Sequence, residues 1–144
     1  MSDNRTLNVL QLDWRWLVVT YCFLILFHLL PSLLLSSLWQ FLFGKGIWRF
    51  SCWAWGGMTL IGAYVAYRAT SMTIIGSGIA AMLYMATVLP TMSDIRYIPA
   101  SGARYVGLLV ALHLIAFLFG CFGGAAGEWL KARRDRAQGL RENS

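Results

Sequence analysis

The chain has 144 residues, 58% of them hydrophobic and 12% charged, with 12 Lys and Arg against 6 Asp and Glu. A soluble domain carries roughly 25% charged residues, and a chain this short has no core large enough to hide so much apolar surface from water. The net charge of +6 does not point to nucleic acid, because the basic residues lie between or beyond apolar blocks rather than on a face interleaved with aromatics.

Apolar blocks bounded by charge predict four transmembrane helices, over 16–43, 47–67, 72–92 and 105–127. Each reaches the ~20 residues that cross ~30 Å of hydrocarbon, where a single segment satisfies its own backbone only as a helix. The expected fold class is an all-α integral membrane protein, a four-transmembrane-helix bundle over 16–128. An N-terminal interfacial segment precedes it over 1–15, and a basic cytoplasmic tail follows over 129–144. Leu7, Val9, Leu10 and Leu12 alternate with polar neighbours in the first segment, as expected at a membrane surface.

The first block is longer than the 7–15 apolar residues of a signal peptide, and no A-x-A site follows it, so it reads as a retained anchor. Pro31 predicts a kink there, because it removes an amide donor and leaves the Phe27 carbonyl without its usual partner. Trp14 and Trp16 mark one edge of this helix. Trp39, Trp48, Trp53 and Trp55 crowd the opposite edge of helices one and two, and Trp129 ends helix four. Amphipathic rings favour the headgroup level, so a simple belt is expected; the cluster of four is alternatively a docking surface.

A connection of roughly Arg68 to Ser71 predicts a tight hairpin of the second and third helices. The loop over 93–103 carries Asp94, Arg96, Tyr97 and Pro99, with Arg104 just beyond. The tail from Lys131 is expected to extend the fourth helix into solvent. With four spans both termini share a side, where eight basic groups stand against four on the other. Basic residues concentrate on the cytoplasmic face, which puts both termini there. Without the tail the count is three against four, so the orientation rests on that segment.

All six acidic residues (Asp3, Asp13, Asp94, Glu128, Asp135 and Glu142) are expected outside the hydrocarbon. The membrane carboxylate of small proton-coupled exporters is therefore missing. So is the mid-helix asparagine of four-helix fluoride channels. Cys22, Cys52 and Cys121 form no CxxC pair and no zinc spacing, which sets aside disulfide frameworks and four-helix thiol oxidoreductases. No catalytic or metal-binding residue is assigned.

Two membrane histidines stand out. His28 lies ~20 Å along its helix from Arg15, and His113 ~22 Å from Glu128, so the two imidazoles are expected at one depth. The expected role is structural, between helices. The alternatives are axial ligation of one b-type haem and a proton relay. Small-xxx-small seams for close helix approach are expected at Gly62 and Ala66, at Gly76 and Ala80, at Gly123 and Gly127, and along Ala116, Gly120 and Gly124, with Gly107 and Ala111 on an adjoining strip.

These features point to a small, non-enzymatic accessory or structural subunit of a larger membrane complex, without cofactor and with the lipid bilayer as its first partner. Other membrane subunits or a second copy would be the next, in a cell membrane, the bacterial inner membrane being expected. The rivals are a haem-binding electron-transfer subunit using His28 and His113, a small oligomeric transporter or channel, and an immunity-type protein that guards the membrane against a toxin.

Overall fold

A computed structural model of the chain describes residues 13–34, 47–71, 73–91 and 102–142. It contains four α-helices, α1 (Trp14–Leu34), α2 (Ile47–Arg68), α3 (Ile74–Val88) and α4 (Ala103–Glu142), with a 3-10 turn over Leu89–Thr91 and no strand among the described residues. The outer loop, the N-terminal segment before Asp13, and the side chains of Trp39, Trp48 and Pro31 lie outside what is described. The backbone of α1 continues through position 31 to Leu34.

Helix ends follow local chemistry. Asp13 caps α1: its Oδ1 accepts from the Arg15 amide at 3.1 Å, and its carbonyl accepts from Leu17 at 3.0 Å. Pro90 cannot donate, and α3 gives way to the 3-10 turn one residue before it. At 15 residues α3 is only ~22 Å long, and the turn adds ~6 Å. Gly102, with φ +52, supplies the left-handed residue before α4, and its carbonyl accepts from the Val106 amide at 3.2 Å. From there α4 runs unbroken for 40 residues, so the tail is helical to Glu142.

Contacts establish the directions. Phe27 stacks on Trp53 and Phe23 meets Tyr64 edge-on, so α1 and α2 are antiparallel. Asp13 reaches Ser71 and His28 reaches Tyr84, so α1 and α3 are parallel. Gly123 lies on Thr59 and Gly127 on Ala63, so α2 and α4 are parallel. Neighbouring helices in the chain therefore alternate in direction.

The connection between α2 and α3 is short, as expected, but the two are not each other's main partners. Both pack chiefly on α4, whereas α1 packs on α3 and α2, leaving α1 and α4 diagonal. The physical reason is a double stripe of glycine. A Cβ on Gly123 would collide with the Thr59 backbone, and one on Gly127 with the Ala63 carbonyl and, at 2.8 Å, with Ala66 Cβ, all on α2. A Cβ on Gly120 would lie 2.8 Å from Ala81 Cβ, and one on Gly124 2.8 Å from Ile74 Cα, both on α3. Two i, i+4 pairs offset by three residues thus set α4 backbone-close to two helices at once.

Small residues fill this interior: Ala66, Ala80, Ala81 and Ala116 are fully buried, while Gly62 faces the Gly120 carbonyl. Leu24, Met58, Tyr84 and Met85 complete the core. Thr20 and Thr59 spend their hydroxyls on their own helix, Thr20 on the Trp16 carbonyl at 2.7 Å and Thr59 on that of Trp55 at 3.0 Å. Gly107 and Ala111 lie elsewhere, exposed on α4 with open space where a Gly107 Cβ would stand. The seam therefore does not run on through them; small residues permit close approach without supplying a neighbour.

Among the described residues one helix, Tyr105–Gly139, is long and apolar enough to cross a membrane. Trp14–Leu29 and Ile74–Val88 are apolar but shorter.

Candidate functional site

Polar chemistry concentrates at the end of the bundle where α1 and α3 begin and α2 ends. The α2–α3 connection is tied there from two sides. Ser71 donates its hydroxyl to Asp13 Oδ2 at 2.9 Å, and Lys131 Nζ donates to the carbonyl of Ala69. The second bond satisfies one of the carbonyls that the last turn of α2 leaves unpaired and sets a cation at the negative end of that helix. Asp13 thus caps α1 and anchors the connection with one carboxylate.

Around this tie lies a cavity of about 480 Å³, lined by Trp16, Tyr67, Arg68, Thr70, Lys131 and Arg134 among others. Arg134 stands over the Tyr67 ring at 4.9 Å and pairs with Asp135 at 3.0 Å. Hydrogen bonds to Tyr67 first, and to Asp135, raise its pKa above the ordinary arginine value, which fixes its charge. Among the described residues, Arg68 and Lys131 have no carboxylate partner within ion-pair distance. A second cavity of about 510 Å³ lies beside the first, with Tyr67 and Arg134 in the walls of both and Ala63, Tyr64, Leu130, Arg133 and Ala137 completing its own.

The two histidines are carried on diagonal helices and are not brought together. His28 meets the ring of the buried Tyr84 edge-on, with centroids 5.9 Å apart. The α3–α4 pairings, Ile74 with Gly124 and Ala81 with Gly120, run in opposite senses, so these two helices are antiparallel. His113 Nδ1 lies 2.7 Å from the Leu109 carbonyl. A carbonyl only accepts, so Nδ1 carries the proton and donates it. The helices that bear the imidazoles are diagonal, and the core cluster of Leu24, Met58, Tyr84 and Met85 fills the bundle between them.

Several groups stand out only in three dimensions. Thr73 and Ser77 are buried, and their hydroxyls have no hydrogen-bond partner among the described residues; one oxygen of the partly buried Glu128 is in the same position. Trp53 and Trp55 turn into the bundle to stack on Phe27 at 4.1 Å and Phe119 at 5.3 Å, so these two rings belong to helix packing rather than to a belt. Trp14 and Trp129 are exposed, at 67% and 60%. The available signal for the cavity was the coincidence of Tyr67-Arg68 at one helix end with Lys131 and Arg134 one turn apart on another. Comparison with protein-family models, with characterised proteins and with solved structures finds no match for the chain.

Proposed function

We propose that the chain is an integral membrane protein whose four helices form a transmembrane bundle with both termini in the cytoplasm, and that it serves as a non-enzymatic accessory subunit of a larger membrane complex. The inversion of size between interior and exterior carries this reading. The seams inside are glycine and alanine, while Val106, Val110, Leu114, Leu118 and Phe122 follow one another at four-residue spacing on the outside of α4, each between 52% and 67% exposed. Only 17% of the most apolar 18-residue stretch of α4 is buried within the molecule. Water penalises such a surface, and monomeric soluble proteins rarely keep apolar patches of more than a few hundred Å² exposed. Lipid does not penalise it, and helices in lipid associate through small residues.

The accessory role draws on unused surface. Gly107 and Ala111 lie one turn apart on the outer side of α4 and are unoccupied by the bundle, which leaves a strip on which another helix can lie close. Purification from native membranes in mild detergent tests the role. Co-elution with other subunits at a size well above the 16.2 kDa of the chain is expected. Elution alone as a monomer in several detergents overturns it.

A further inference from the structure

We infer that the paired cavities at the charged end form a binding site for an anionic phospholipid, with the headgroup phosphate held by Arg68, Lys131 and Arg134 and an acyl chain lying in the apolar groove beside Tyr64 and Leu130. The inference rests on the membrane reading proposed above.

The first argument is charge that the protein does not neutralise. Segments 13–16, 67–71 and 128–136 carry six basic side chains against three carboxylates. Of those carboxylates, Asp13 is engaged by Ser71 and Asp135 by Arg134, while Glu128, one turn before Lys131, makes no ion pair among the described residues and does not line either cavity. Lysine has three N–H donors. The Ala69 carbonyl takes one from Lys131 and holds the ammonium at the cavity wall with two still to give. Arg134 is likewise held in place by Tyr67 and Asp135, with guanidinium donors to spare. Two held cations and the unpaired Arg68 make a preorganised receptor for a phosphate rather than a loose basic surface.

The second argument is polarity along the groove. Helices α2 and α4 are parallel, so residues early in each of the two segments lie on the same side. Ala63, Tyr64 and Leu130 are deeper in the bundle than Arg68 and Arg134 by about one turn, ~5 Å. Along α2 the second cavity therefore reaches about one turn deeper than the first, while on α4 it also extends outward to Arg133 and Ala137; its inner end, at Ala63, Tyr64 and Leu130, is the apolar part that faces the hydrocarbon. Free phosphate needs only the first part; an amphiphile uses both. A volume of about 480 Å³ falls in the ~300–1,000 Å³ range of small-molecule sites. Trp16 on its rim is an interfacial residue at the same level. Basic pockets on the cytoplasmic side of membrane helices are suited to anionic headgroups.

The full chain, purified and delipidated in a neutral detergent, is titrated with phosphatidylglycerol, with phosphatidylcholine and with inorganic phosphate, and bound lipid is counted by native mass spectrometry. Preferential retention of phosphatidylglycerol is expected. Binding should weaken about fivefold in Arg68→Gln and about fivefold in Arg134→Gln, the equivalent of ~1 kcal/mol per basic residue. The tail variant Arg136→Gln should bind like the parent chain. Helix content by circular dichroism confirms that each variant is folded, and Lys131→Arg, which keeps the charge, should retain binding. Equal retention of both lipids, equal losses in Arg136→Gln and Arg68→Gln, or phosphate binding as tightly as the lipid each overturns the site. Alkaline carbonate extraction of cells separates the two readings. Release into the supernatant overturns the membrane reading itself, whereas a pelleted protein with no lipid preference overturns only the site.

Discussion

Replacing Gly123 by alanine tests the glycine contact that determines which helices are neighbours. The added methyl would stand 2.9 Å from Thr59 Cα, 3.0 Å from its carbonyl carbon and closer still to its oxygen. Non-bonded carbons prefer ≈ 3.5–4.0 Å, so α4 must retreat from α2 by roughly half an ångström or more. The obstacle is backbone, which cannot rotate aside as a flexible side chain can. Overpacking of this kind costs about 1–3 kcal/mol, against which alanine gains about 1 kcal/mol in helix propensity. The net loss expected is therefore about 0–2 kcal/mol, and about 1–3 kcal/mol relative to a glycine-to-alanine change in open space. Gly127→Ala acts on the same α2 contact, meeting Ala63 and Ala66. The double variant should lose less than the sum, because the first retreat already makes room for the second methyl. Gly107→Ala and Gly56→Ala enter open space and should be neutral or slightly stabilising. Unfolding in mixed micelles titrated with sodium dodecyl sulfate, followed by circular dichroism, reads the difference. If Gly123→Ala unfolds at the same point as Gly107→Ala, the close packing of α4 on α2 is wrong.

Asp13→Ala should cost about 2 kcal/mol in the same titration, about 1 for the cap and about 1 for the bond to Ser71, whereas Ser71→Ala should cost only the second; equal losses would remove Asp13 from the cap. Protein purified from haem-supplied cells should show no Soret band, because the packed core of Leu24, Met58, Tyr84 and Met85 leaves no room for a macrocycle between the helices of His28 and His113. A band abolished by either His28→Ala or His113→Ala would refute that packing of the core. In a Cys52→Ser background, a charged maleimide should label neither Cys22 nor Cys121 in intact bilayers, while an uncharged one should label the exposed Cys22 faster than the half-buried Cys121. Rapid labelling of Cys22 by the charged reagent would place that face of α1 in water.

Helix positions were largely legible because charge and hydropathy change together at their ends. The expected 47–67 became Ile47–Arg68, and 72–92 became Ile74–Val88 plus the turn that Pro90 imposes. The polar tail was legible as a helical continuation of 105–127. Neighbour relations were not. A short connection favours a hairpin of α2 and α3, but Gly120, Gly123, Gly124 and Gly127 give α4 two flat faces, and closer backbone packing than the connection alone suggests follows from them. The spacing of Gly107 and Ala111 matches that of Gly120 and Gly124, yet only the second pair has a neighbour. Tryptophan is ambiguous for a related reason, since a ring that suits the headgroup level also stacks well, as Trp53 does. Lys131 was read as one charge in a basic tail, because its bond to Ala69 crosses 62 positions of sequence. Tyr84, whose ring meets His28, carried no signal in the sequence.

The 40 residues of α4 amount to a rod of about 60 Å, roughly twice the length of α2. Beyond Arg134 some 8 residues, about 12 Å, protrude as a handle with no helix break before Glu142. Lys131 on the Ala69 carbonyl and Arg134 on the Tyr67 ring act as the fulcrum. A sideways load on the handle is therefore not absorbed at the boundary of the bundle. It reaches the glycine wedge, where backbone rests on backbone, and becomes a change in the gap between α2 and α3. Whatever grips the tail has mechanical purchase on the interior.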